Sequence, residues 1–237
     1  MNPIEIIDIQ DVHQKLATIF SQDPIEGMQY GNRKIWKGLP NKNTVLFPSV
    51  KNQSLMPCES KLEAEHCLAI EFEKTTLSYR TQPLTLRLNR KQSYTPDVVM
   101  ADENGEYTFR EVKFSGSLES RKLNDRLTKI TSIFATAGFR FEVVTEKVLN
   151  LFPDCQNRKY LYRSARLKFH QLQINEALSI IDTKGTGCSL HEFRNDCMEH
   201  GLNPLIADWA IFQGHVQFET QLPLNEKSLV WTIGDEA

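Results

Sequence analysis

The stretch SYTPDVVMADENGEYTFREVKF, residues 93–114, holds three side chains of interest to a chemist: Asp97, Glu111 and Lys113. Asp97 opens a short apolar run, Val98–Met100. Asp102-Glu103-Asn104-Gly105 is a strong turn signal, and Tyr107–Phe114 reads as the returning strand. Side chains alternate along a strand, so Glu111 and Lys113 share one face and Arg110 and Val112 the other. The turn folds Asp97 back beside them, and two carboxylates and an amine converge at one sheet end. Two acids can hold a hard cation such as Mg²⁺ and leave positions open for water and a phosphate oxygen. Such a metal acidifies water and neutralises charge building on phosphorus. The lysine orients or deprotonates the nucleophile, or braces the phosphate. The set therefore suits phosphodiester hydrolysis. A solvated strand face with a loop acid is the plainer alternative. The Pro-Asp strand start, the strand-turn-strand context and an acid-bearing helix upstream weigh against it.

That upstream acid is Glu63. A helix is expected from Glu59, with Pro57 just before it and Leu62, Ala69, Ile70 and Phe72 as its core face. On it, Glu59, Glu63 and His66 stand at i, i+4 and i+7; taken alone Glu63 reads as a surface helix glutamate, and beside the hairpin it is placed to supply a further metal ligand. The remaining elements must hold this group in place. A short amphipathic helix is expected over Asp11–Phe20, and extended pieces over 33–37 and 44–50. Strands are expected at Leu77–Tyr79, Leu84–Leu88 and Phe139–Thr145. A helix over Leu118–Ala137 carries a basic face of Arg121, Lys122, Arg126 and Lys129, and Gly138 ends it. Helix, strands, helix and strand in this order predict an α/β fold, a mixed sheet with helices packed on it.

After Phe152-Pro153 the pattern becomes mostly helical. Arg166–Ile181 offers Leu167, Leu172, Ile174, Leu178 and Ile181 to a core. Ser189 with Glu192 is a capping-box start, Gly201 closes that helix, and Asn203-Pro204 begins a third that ends near Gly214. His215–Thr220 and Ser228–Ile233 read as a hairpin. Three helices and a hairpin make a winged-helix pattern. The expected domains are thus 1–151 and 152–237.

The bulk composition fits an ordinary soluble chain of 237 residues, 40% apolar and 24% charged. The net charge of −2 excludes a global polycationic signal, so any nucleic-acid contact must come from local patches. Beyond residue 150 there are 8 basic and 11 acidic side chains. Five cysteines without a CxxC pair read as reduced and intracellular. MNPIEIIDIQ lacks the basic start of a signal peptide, and no apolar run approaches membrane-spanning length. A cytoplasmic location is expected, on the nucleoid when active.

The spacing Asp97 … Glu111-Val112-Lys113 resembles the PD-(D/E)xK nuclease core of many restriction enzymes. More closely, residues 60–86 resemble TnsA-type transposon endonucleases, through Ser60-Lys61-Leu62-Glu63, Leu68-Ala69-Ile70-Glu71-Phe72-Glu73 and Arg80-Thr81-Gln82-Pro83-Leu84. Thr95-Pro96-Asp97 and Glu111-Val112-Lys113 match two further motifs of that family, and the likeness spans roughly 58–148. It implies a restriction-endonuclease-like nuclease domain followed by a winged-helix domain. It implies Glu63 and Asp97 as metal-binding acids, Glu111 as a third ligand and Lys113 as the catalytic lysine, with Mg²⁺ as cofactor and Mn²⁺ as a substitute. The family often carries Gln where Glu111 stands, so the neighbouring backbone carbonyl is an alternative ligand. The activity implied is cutting the 5′ strands at double-stranded transposon ends, beside a TnsB-like transposase and a TnsC-like AAA+ ATPase, with no membrane partner. Members from CRISPR-associated transposons have this compact length.

Two rival readings stand beside this one: a stand-alone restriction-like nuclease, and a non-catalytic winged-helix adaptor of a transposition complex. The third helix of the second domain, LIADWAIFQ, has no Lys or Arg. It cannot neutralise phosphates or form a bidentate contact to guanine. Protein docking is therefore favoured there over sequence-specific DNA binding, with core packing the plain role for Trp209, Ile211 and Phe212. A basic cluster (Arg158, Lys159, Arg163, Arg166, Lys168) reads first as a solvated face and second as a DNA contact. Residues 31–40, basic around Trp36, read equally as a packed loop or a DNA or transposase contact. His191, Cys197 and His200 lack the spacing and the fourth ligand of a zinc site.

Overall fold

The computed structural model describes residues 9–32, 44–89 and 92–232. The expected extended piece at 33–37, most of the 31–40 stretch and the last residue of the expected 228–233 strand lie outside them. The chain divides into two compact units, Met1–Leu149 and Asn150–Ala237.

In the first unit, helix α1 (Ile9–Phe20) precedes an antiparallel ribbon of β1 (Val45–Ser49) and β2 (Ser54–Cys58). Helix α2 (Lys61–Glu71) and strand β3 (Thr76–Thr81) follow. A second ribbon pairs β4 (Leu86–Asn89) with β5 (Gln92–Tyr94). Then come β6 (Val98–Asp102), β7 (Tyr107–Val112), a 3-10 helix (Ser115–Glu119), helix α3 (Arg121–Thr136), β8 (Arg140–Val144) and helix α4 (Glu146–Leu149). The central sheet has the order β3-β6-β7-β8. Its first three strands are antiparallel neighbours, and β8 runs parallel to β7. A parallel pair needs a crossover, and α3 is that crossover. The fold is α/β, a mixed sheet flanked by helices.

Alternation along β7 sorts the two faces. Phe109 points into an aromatic core with Phe134 of α3, ring centroids 4.7 Å apart. Val99, Phe141, Ile130, Leu127 and, from α1, Val12 and Leu16 complete that core. Burying each such side chain stabilises the fold by roughly 1.5–3 kcal/mol. The adjacent Arg110 points the other way, where its guanidinium meets His66 of α2 and Glu73 just past the end of that helix.

The buried face of α2 differs from expectation. Leu62, Ala69 and Phe72 are only half-buried, and the buried stripe is Glu63, His66, Cys67, Ile70 and Glu71. This stripe follows i, i+3, i+4, i+7, i+8, the correct helical period, but most of it is polar. Polar groups tolerate such burial when bonded, and here Glu71 accepts four hydrogen bonds. Its Oε1 accepts from the Ser49 and Tyr79 hydroxyls at 2.6 and 2.8 Å, and its Oε2 from the Val50 and Lys51 amides at 3.1 Å each.

The second unit holds α5 (Asp154–Leu161), α6 (Gln171–Asp182), β9 (Cys188–Ser189), α7 (Leu190–Glu199), α8 (Leu205–Gln213), β10 (Val216–Phe218) and β11 (Leu229–Thr232). The strands form an antiparallel sheet in the order β10-β11-β9. Ser189 caps α7 by accepting from the Glu192 amide, and Gly214 ends α8 in the left-handed region. Helix α6 begins five residues after the expected Arg166, because 162–166 form turns and 167–170 have no regular structure, with His170 extended at the helix start. Its buried face is Ala177, Ile180 and Ile181, so Leu172, expected in the core, is instead 81% exposed. In α8, Ile211 is buried, while Trp209 and Phe212 are half-buried against Phe169 and Tyr162. Asp208 of the same helix is buried and paired with Arg194 of α7 at 2.5 Å.

Candidate active site

The β6–β7 hairpin closes as its turn residues require. Asp102 Oδ1 accepts from the Asn104 and Glu106 amides, and Gly105 supplies the positive φ of 76°. Val98 pairs with Arg110, so Asp97 stands one step beyond it, across from Glu111. The Gln82 amide, just past the end of β3, donates to the Asp97 carbonyl at 2.8 Å and holds this strand end from the other side.

There Asp97, Glu111 and Lys113 come together. Asp97 Oδ2 accepts from the Val112 amide at 2.8 Å. The Lys113 Nζ lies 2.7 Å from Glu111 Oε1, 3.1 Å from the Val112 carbonyl oxygen and 3.4 Å from Asp97 Oδ2. Two carboxylates and one carbonyl thus surround a single ammonium. The Lys113 amide donates to Val144 of β8 at 2.9 Å, which fixes the strand just where the lysine leaves it. Two residues on, the Ser115 amide and hydroxyl both donate to the Glu146 carboxylate at the start of α4.

The electrostatics follow from this crowding. Burial first, and the Glu111 carboxylate second, raise the Asp97 carboxyl to about 7 despite the Lys113 charge and the Val112 amide. Burial alone would pull the Lys113 ammonium down. The Asp97 and Glu111 carboxylates together outweigh it and hold it above the ordinary lysine value.

Glu63 lies in the first turn of α2. Its Oε2 accepts from the Glu59 amide at 2.9 Å and its Oε1 from the Ser60 hydroxyl at 3.0 Å. Ser60 Oγ in turn accepts from the Glu63 amide, so the pair caps the helix reciprocally. Burial raises the Glu63 carboxyl above its usual range. Its charge acts on Asp97 and Lys113, but its oxygens are bonded to its own helix start and not to that group. His66, one turn on, is fully buried and held neutral: burial first, then the Arg110 charge, push it down to about 3.

Sequence reasoning missed one residue. The Tyr94 hydroxyl, at the end of β5, donates to Glu111 Oε2. Strand β5 is too short and polar to show an alternation, and only the closeness of Tyr94 to Asp97 in sequence hinted at it. On α3, Arg121, Lys122, Arg126 and Lys129 are all exposed, and the Arg126 charge reaches the Tyr94 hydroxyl.

Among the described residues, no three His, Cys, Asp or Glu side chains are grouped so as to hold a metal ion. The donor chemistry at the end of β7 still fits a hard cation. Every acceptor around Lys113 Nζ is oxygen, two of them carboxylate, which is what Mg²⁺ prefers over nitrogen or sulfur. His191, Cys197 and His200 take other partners or none: Cys197 is buried, His191 meets Asn195, and His200 Nδ1 faces the Asp196 carbonyl. An open groove of about 620 Å³ beside α1, lined in part by Lys15, Tyr30 and Thr85, includes none of the four candidate residues. No helix among the described residues is long and apolar enough to cross a membrane. A comparison with protein-family models and with curated proteins finds no match for the sequence.

Proposed function

We propose that this chain is a Mg²⁺-dependent DNA endonuclease of the TnsA type, the subunit that cuts the 5′ strands at transposon ends. The observation that carries the reading is the ring of three oxygens around Lys113 Nζ at the end of the β6–β7 hairpin. The central sheet is read as restriction-endonuclease-like, with order β3-β6-β7-β8 and the acid and lysine at one strand end. The second unit, with its helices and three-stranded sheet, is read as a winged helix.

Asp97 and Glu111 would hold the Mg²⁺, or Mn²⁺ in its place, with the Val112 carbonyl as a neutral third oxygen and Glu63 as an acid acting on the same field. When bound, that ion would polarise the scissile phosphate and acidify the attacking water. Lys113 holds a positive charge beside the reacting phosphate and orients the water. The exposed basic face of α3 carries the phosphates that flank the cut. In the second unit, α8 buries Ile206, Ala207, Ala210 and Ile211, leaves Leu205 exposed, pairs its buried Asp208 with Arg194, and has no Lys or Arg of its own to meet a phosphate. This favours protein docking, to a TnsB-like transposase or a TnsC-like ATPase, over reading of bases.

The test is strand-specific mapping of breaks at transposon ends, in cells carrying the neighbouring transposase genes, with wild type beside Asp97→Ala and Lys113→Ala. The expected result is loss of the 5′ cut alone, with 3′ joining retained. Unchanged 5′ cuts in both variants would overturn the reading and leave the hairpin as scaffolding of an adaptor.

A further inference from the structure

We infer that Tyr94 is a positioning residue for this site, fixing Glu111 so that Oε2 is held back and Oε1 alone is presented to Lys113 and to a cation. The inference rests on the reading of Glu111 as a cation ligand.

Three observations carry it. The ring is locked: Tyr94 is 4% exposed, and its edge contacts Phe134 and Phe141 at centroid distances of 6.1 and 6.0 Å. Its backbone is pinned as well, because Tyr94 pairs with Leu86 across the β4–β5 ribbon. From this fixed ring the hydroxyl reaches Glu111 Oε2, while Glu111 Oε1 lies 2.7 Å from Lys113 Nζ. Each oxygen of one carboxylate is thus assigned a different partner, one neutral and buried, the other charged and at the strand end. A ligating carboxylate oriented by a hydrogen bond of this kind binds more firmly than a free one.

A purely structural hydroxyl would only need an acceptor. Here the acceptor is the one carboxylate whose other oxygen faces the candidate chemistry. The run Tyr94-Thr95-Pro96-Asp97 also ties this hydroxyl to the second carboxylate of the pair, so a shift of β5 moves both together. The site is then set by two strands from different ribbons and not by the hairpin alone.

Tyr94→Phe keeps the ring and its packing and removes only the hydroxyl. Calorimetric titration of the full chain with Mn²⁺ should give a dissociation constant weaker than wild type by roughly 10–100-fold. A crystal structure of Y94F should show Glu111 turned away from Lys113. The same substitution in a Glu111→Gln background should add little, because Tyr94 acts through that side chain. Wild-type Mn²⁺ affinity in Y94F, with Glu111 unmoved, overturns the inference. If wild type binds no Mn²⁺ but Glu111 turns in Y94F, the positioning stands and the cation-ligand reading falls. Should Y94F not fold, 3,5-difluorotyrosine at position 94 replaces it. That residue keeps the ring and donates more strongly, and an unchanged Mn²⁺ affinity there counts against the inference equally.

Discussion

Glu71 and the Asp97–Glu111 pair are all shielded carboxylates in the same unit, yet they are treated in opposite ways. Glu71 is saturated: four donors from the 49–51 turn and Tyr79 cover both oxygens, and every one is neutral. It clamps the β1–β2 turn to α2 and strand β3. Asp97 and Glu111 are set against each other, share one ammonium, and keep acceptor capacity pointed at the strand end. Burial therefore does not separate an architectural acid from one proposed to hold a cation. What separates them is whether the protein has used up the lone pairs. Buried acids crowded against a like charge are candidates for chemistry, because the crowding costs stability.

The comparison is open to direct attack. The largest effect should come from Glu71→Ala, which leaves two buried hydroxyls and two half-buried amides without their acceptor. A loss of about 3–5 kcal/mol is expected, read by denaturant unfolding. A loss below about 1 kcal/mol would show that Glu71 is no structural clamp. A smaller effect of opposite sign should come from Asp97→Asn in metal-free buffer. The folded Asp97 keeps its proton up to about 7, whereas an unfolded aspartate releases it near about 4. Between these values the folded chain binds the extra proton, so wild-type stability falls as pH rises from about 4 to about 7 and stays at the lower level above. Asp97→Asn lacks that slope. It should exceed wild type by about 1–3 kcal/mol at pH 8 and lose the advantage as pH falls toward about 4. A constant difference across pH would show that Asp97 bears no such cost.

Much of this was legible in the sequence for identifiable reasons. The β6–β7 hairpin was readable because its apolar runs flank a turn that needs Gly105, and strand alternation then put Glu111 and Lys113 on one face. Helix α3 was readable from its period and its closing Gly138. Strand β2 was not, because Pro57 reads as a helix boundary; the ribbon tolerates it since a two-stranded sheet has only edges. The polar stripe of α2 was hidden because pattern reading assigns burial to apolar residues, and the partners of Glu71 lie some 8 to 22 residues away in sequence. Tyr94 escaped for the same reason: its bond to Glu111 spans two strands and a turn. At the site, Asp97, Glu111 and Lys113 gather as expected, whereas Glu63 spends its oxygens on capping α2.

The ammonium seated among three oxygens also bears on how the protein behaves at the bench. A cluster that carries its own counter-charge does not depend on a divalent ion to keep its strand end from flying apart. Purification in a strong chelator should therefore yield a chain that melts at the same temperature as one dialysed into plain buffer, to within about 1 °C. A drop of several degrees in EDTA would mean that Lys113 does not do the work of an inner cation, and that the fold as isolated leans on a metal after all.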